Sequence, residues 1–172
     1  VCVSGDKLLG GPQCGIILGK KVFIDQLRKH PLIRAVRVDK YAAVALTATL
    51  LQYLKGETHK LPAYAMMAAT LDSLSERGKT VVSSMDEAGI GAEVIDGESL
   101  TGGGSLPDET LPTKLVAVTI KGNIDAFSRR LRLGTSPVLG RVHEGHFIID
   151  LRTVFPAQDA ELVKAIIAAL GV

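Results

Sequence analysis

The sequence predicts an α/β protein, and three observations carry that prediction. Apolar residues recur at helical spacing in several long segments, two runs rich in β-branched residues alternate with them, and a pair of short apolar runs near the C-terminal end is joined by Glu144-Gly145. Interleaved strands and helices beyond residue 56 suggest a small sheet with helices packed on one face.

The elements are predicted in order as follows. Val1-Cys2-Val3 reads as the end of a strand, and Cys14–Gly19 as a short strand buried on both faces. Lys20–Lys29 places Val22, Phe23, Ile24 and Leu27 between charges, the pattern of an amphipathic helix. Pro31 breaks the helix at His30. Asp39 caps a long helix to Leu54 whose surface is apolar nearly all round, which implies burial on several sides. Gly56–Pro62 is a polar break and the expected domain boundary. Ala63–Ser75 and Lys79–Ala88 read as two helices parted at Gly78. Ala92–Asp96 and Lys114–Ile120 read as strands, and Asn123–Leu133 as a basic helix. Val138–Val142 and His146–Leu151 form a hairpin, and a last helix carries Leu162, Val163, Ile166, Ile167 and Leu170 on one face.

Composition narrows the class. The chain has 172 residues, 47% of them hydrophobic, enough for one or two compact units. Lys and Arg number 20 against 18 Asp and Glu, so net charge gives no pointer to nucleic acid. Cys2 and Cys14 lack the paired spacing of a zinc site and read as reduced thiols. The four histidines show no metal-ligand pattern, and no metal is expected. No stretch is apolar over the roughly 18 residues of a membrane span, which predicts no membrane association and a cytoplasmic protein. The opening Val1-Cys2-Val3, without an initiator methionine, suggests a C-terminal piece of a longer chain.

The chemistry concentrates at the start. Ser4-Gly5-Asp6-Lys7-Leu8-Leu9-Gly10-Gly11-Pro12-Gln13 sets one lysine among glycines ahead of an apolar run. A lysine near an apolar pocket is favoured as the neutral amine that condenses with an aldehyde, and glycines without a Cβ let backbone approach a flat cofactor. From spacing alone, a solvated turn lysine is the commoner reading. Asp6 either orients Lys7 and moves protons or bonds its own turn. Arg34 and Arg37, three apart, would share a face suited to gripping a phosphate if the segment is helical, although such pairs more often face solvent. Arg129, Arg130 and Arg132 form a basic face, more often solvated than bound to RNA, and Arg141 and Arg152 are expected in structural ion pairs. Gly102-Gly103-Gly104-Ser105 reads as a flexible connection.

Together these blocks resemble the bacterial L-seryl-tRNA(Sec) selenium transferases. The likeness is carried by the lysine loop, by His30-Pro31-Leu32 and Arg34-Ala35-Val36-Arg37-Val38-Asp39-Lys40, by Gly102-Gly103-Gly104-Ser105-Leu106-Pro107, and by Pro137–Arg141 with Asp150–Val154. It implies a fold type I pyridoxal-phosphate transferase: residues 1–55 the end of the large domain, and 56–172 the small C-terminal α/β domain. It further implies pyridoxal 5'-phosphate held by Lys7 with Gly10 and Gly11 beside it, Lys7 and Asp6 as the catalytic pair, and Arg34 and Arg37 binding selenophosphate. Seryl-tRNA(Sec) would be the substrate, and the assembly a homo-oligomer of dimers in a larger ring. This chain departs from the family after Leu61-Pro62, where an arginine is usual and Ala63-Tyr64-Ala65-Met66-Met67 stands instead, and at Cys14, usually alanine. Two other readings remain open at this stage: a pyridoxal-phosphate ammonia-lyase relative acting on a phosphorylated amino sugar acid, and a catalytically silent domain.

Overall fold

The computed structural model describes residues 1–102 and 109–171. Among these, Val1–Ala68 with Gly102 form one compact unit, and Ala69–Thr101 with 109–171 form another. Both mix helix and strand, in agreement with the α/β expectation. The polar break at 56–62 lies inside the first unit.

In the first unit, β1 (Cys2–Ser4) and β2 (Gly15–Ile17) form an antiparallel ribbon in which Cys2 faces Ile17 and Ser4 faces Gly15. The lysine segment is the loop of this hairpin. Strand β2 is shorter than expected and is not buried on both faces: Ile17 and Leu18 are half exposed, because β1 is its only strand neighbour among the described residues. Helix α1 (Lys21–Lys29) carries a Lys21–Asp25 ion pair and ends at His30, whose extended backbone precedes Pro31. The one-turn α2 (Ile33–Val36) follows. Helix α3 (Lys40–Leu54) starts at Asp39, whose side chain accepts the Ala42 amide at 2.8 Å, as a capping carboxylate should. A 3-10 turn at Thr58–Lys60 leads to α4 (Pro62–Met67), with Pro62 at the first helical position, where its missing N–H costs nothing.

Burial of α3 on several sides is not what the structure shows. Ala42, Leu46, Thr49 and Tyr53, spaced four, three and four apart, form the more buried stripe, while Val44, Leu51 and Leu54 stay exposed.

The second unit is a four-stranded antiparallel sheet in the order β3-β4-β6-β5, comprising β3 (Ala92–Leu100), β4 (Thr110–Thr119), β5 (Arg141–His143) and β6 (His146–Asp150). Alternation along β4 sorts its side chains. Val116 and Val118 pair with Ile149 and Phe147 in the main core, while Leu115 and Ala117 join Ile95 and Ile148 on the opposite face. The core side is filled by α5 (Leu71–Glu87), α6 (Ile124–Leu133) and α7 (Asp159–Leu170). Phe127 of α6 meets Phe147 edge to face at 5.1 Å. The β5–β6 turn lies at Glu144-Gly145, both at positive φ, as a tight two-residue turn requires.

One helix boundary differs from expectation. The break falls at 68–70, with Thr70 capping α5 through the Ser73 amide, and α5 runs unbroken through Gly78. A Cβ on Gly78 would stand 3.0 Å from Val94 Cγ2. Here glycine serves close helix–strand approach and does not end the helix.

Candidate functional site

The lysine loop is fixed by its own backbone. The Gly5 amide donates to the Cys14 carbonyl at 2.8 Å, prolonging the hairpin ladder. The Gly11 amide donates to Gly5 at 2.8 Å, and the Gly10 amide to Lys7 at 2.9 Å. Gly10 sits at φ +71°, a left-handed conformation that favours glycine. With these carbonyls turned inward, the Lys7 side chain is left at an open pocket of about 640 Å³ lined by Ser4, Lys7, Leu8, Leu9, Tyr53 and Tyr64 among others.

Lys7 is exposed, and among the described residues no hydrogen bond or ion pair holds its amine. Asp6 lies beside it and accepts from the Ser4 hydroxyl, a bond that holds the Asp6 carboxyl below its ordinary value. A free primary amine, a neighbouring carboxylate and an adjoining pocket with aromatic walls suit the aldehyde end of pyridoxal phosphate. Gly10 and Gly11 also have neighbours within the unit. Where a Cβ would stand, Gly10 faces Ala63 and Leu61, while Gly11 faces the Gly5 carbonyl and Thr49 Oγ1, both 3.2 Å away. Gly11 is thus favoured by tight packing inside the unit, and Gly10 by its left-handed backbone.

Arg34 lies in α2 and Arg37 directly follows it, so the segment is helical over the single turn that joins them. Both are exposed, neither has a partner among the described residues, and neither lines the pocket at Lys7. Arg152 is buried and donates to the carbonyls of Ala69 at 2.9 Å and Pro112 at 2.7 Å. Arg141 reaches the Glu98 carbonyl at 3.4 Å. On the basic helix, Arg130 donates to the Ala169 carbonyl at 2.6 Å and Arg132 to Ser128 at 3.1 Å, so two of its three arginines are bonded within the second unit. Most of the glycine-rich stretch 102–107 lies outside the described residues. Among the described residues no three His, Cys, Asp or Glu side chains are grouped to hold a metal, and no helix is long and apolar enough to cross a membrane.

Sequence reasoning passed over Tyr53 and Tyr64. The Tyr53 hydroxyl donates to the Leu9 carbonyl at 2.9 Å, and the two rings meet edge to face at 5.5 Å. Burial, with Tyr64 beside it, pushes the Tyr53 hydroxyl up to about 12, so it remains a donor across the neutral range. A signal was present in the sequence: Thr49 and Tyr53, four apart, put two polar-tipped side chains on one face of a helix rich in Ala and Leu.

Comparison with known proteins places this geometry in a family context. The family described as L-seryl-tRNA selenium transferase matches residues 1–155. The chain is 43% identical over 170 residues to the L-seryl-tRNA(Sec) selenium transferase of Alkaliphilus oremlandii, covering 96% of this chain and 36% of that protein. It is 39% identical over 173 residues to that of Geobacter sulfurreducens, covering 96% and 37%. Against that of Aquifex aeolicus it is 39% identical over 163 residues, covering 94% and 36%. The chain thus spans a little over a third of the length of these curated relatives.

Proposed function

The chain belongs to the L-seryl-tRNA selenium transferase family, and from that membership we propose that it works in the pyridoxal-phosphate-dependent conversion of L-seryl-tRNA(Sec) to L-selenocysteinyl-tRNA(Sec), with selenophosphate as selenium donor. The observation that carries the reading is that the family match runs through a loop whose one lysine, unpaired among the described residues, stands at a pocket. It favours the transferase over an amino sugar acid lyase.

Pyridoxal phosphate, when bound, supplies the electron sink that makes the α-proton of the seryl group acidic. The chain's own residues then have distinct tasks. Lys7 would hold the cofactor through its amine, and the same Nζ would take the α-proton. Asp6, ionised at neutral pH, keeps a negative charge beside that amine. Gly10 and Gly11 shape the loop that carries Lys7. Arg34 and Arg37 bind the selenophosphate oxygens with charge-assisted hydrogen bonds, their exposed guanidinium groups having no partner among the described residues.

The same reading takes in a fold type I architecture, with residues 1–55 closing the large domain and 56–172 forming the small one. It also takes in a homo-oligomer of dimers arranged in a ring and a place in the cytoplasm. The experiment is incubation with pyridoxal phosphate, borohydride fixation and mass mapping. A cofactor adduct on Lys7, absent in Lys7→Ala, is expected; turnover of seryl-tRNA(Sec), and not of phosphorylated amino sugar acids, is expected of an enzyme of the relatives' full length that carries this segment, the segment by itself being inactive. An adduct distributed over surface lysines, with none on Lys7, overturns the reading.

A further inference from the structure

We infer that Tyr53 is a positioning residue for Lys7: from α3, its hydroxyl fixes the turn that presents the lysine to the pocket. This rests on the proposed role of Lys7 and adds to it a residue 46 positions away in the chain.

The turn Lys7–Gly10 has two carbonyls engaged within it or against it. That of Lys7 accepts from the Gly10 amide, and that of Leu9 accepts from Tyr53 at 2.9 Å. The first bond closes the turn on itself. The second ties it to an external, rigid element, since α3 is a helix of 15 residues anchored at its start by Asp39. The same stripe of α3 also supplies Thr49, whose Oγ1 is bonded to the Ala45 carbonyl at 3.1 Å and stands against Gly11. On the other side, Leu61 and Ala63 close on Gly10. The Tyr53 bond reaches the turn Lys7–Gly10 from a helix, and it gives the turn a directional anchor. The edge of the Tyr64 ring holds Tyr53 in place, and both tyrosines line the pocket that Lys7 faces.

Tyr53→Phe tests this, because it keeps the ring and its contact with Tyr64 and removes only the donor. Parent and variant, as the full chain, are incubated with pyridoxal phosphate, fixed with borohydride at intervals, and mapped by mass. The readout is the labelling rate of Lys7 relative to the exposed Lys20 and Lys29 of the same molecules. Loss of one hydrogen bond is expected to lower that ratio about fivefold. Amide hydrogen exchange, which needs no cofactor, is expected to quicken about fivefold at Gly10 and Gly11 with β1 and α3 unchanged. Tyr64→Leu, which frees the Tyr53 ring, should shift both readouts in the same direction by less.

An unchanged ratio and unchanged exchange in Tyr53→Phe overturn the inference and leave the proposed function standing. Faster exchange across α3 as well as the loop also overturns it, since that marks general loosening. If Lys7 of the parent is not labelled preferentially, the proposed function fails, and exchange at Gly10 and Gly11 by itself then decides whether Tyr53 holds the turn.

Discussion

Gly5 is where the lysine loop leaves least room for change. A Cβ there would stand 2.4 Å from Cys14 Sγ and 2.6 Å from the Pro12 carbonyl oxygen. Gly5→Ala is therefore expected to destabilise the first unit by about 1–3 kcal/mol, the usual cost of overpacking, and Cys14→Ala should not rescue it because the Pro12 backbone cannot retreat. Thermal unfolding of the two variants and their combination checks this. Tyr53 makes a second prediction at the same scale. Its hydroxyl titrates at about 12 in the folded chain against an ordinary 10.0, so the fold favours the neutral form. The stability gained is complete below pH 10 and is lost as pH rises from there toward 12. Absorbance titration should show one tyrosine ionising late, and Tyr53→Phe should remove that step.

Helix α5 shows how an element's meaning changes with its surroundings. Gly78 suggests a break in the sequence, because glycine costs about 1 kcal/mol relative to alanine inside a helix. The helix nevertheless continues, and Leu74, Gly78, Val81 and Met85 form its buried stripe, with Val94 of β3 pressed against the glycine. Gly78→Ala gains propensity and loses packing, so its net effect should be small. In a Val94→Ala background the crowding is gone, and the same substitution is expected to stabilise by up to about 1 kcal/mol. A double-mutant cycle by urea unfolding reads the coupling, and equal effects in both backgrounds would contradict the packing account.

At the scale of the whole molecule, the two units are held in different ways. In the second, Arg77 of α5 donates to both carboxylate oxygens of Asp159, at 2.6 and 2.9 Å, and to the carbonyls of Leu151 and Val154. One guanidinium thus joins α5, the segment after β6 and the start of α7, on a largely buried ion pair. Arg77→Met is expected to cost about 3 kcal/mol, because it takes the donor from the Asp159 carboxylate and the Val154 carbonyl and leaves the Leu151 carbonyl with the Val154 amide alone. Arg77→Lys should recover only part of this, since an ammonium cannot reproduce the fork. Thermal melts of the three proteins decide it. Among the described residues the first unit has no comparable centre: Phe23 and Leu27 of α1, Val36 of α2, and Val44 and Leu54 of α3 stay exposed.

The sequence by itself determined the α/β class, the caps at Asp39 and the turn at Glu144-Gly145, the hairpin near the C-terminal end, and the segment that holds Lys7. All of these are local, written in residue type and spacing within a few positions. Only tertiary structure decided the rest. It showed that Gly78 faces Val94, that α3 is buried along a single stripe, and that Gly10 and Gly11 pack against their own unit. It also brought Tyr53 to the Leu9 carbonyl, 44 residues away. The physical reason is that such contacts depend on which surfaces meet, and side-chain periodicity specifies a face without naming what will cover it.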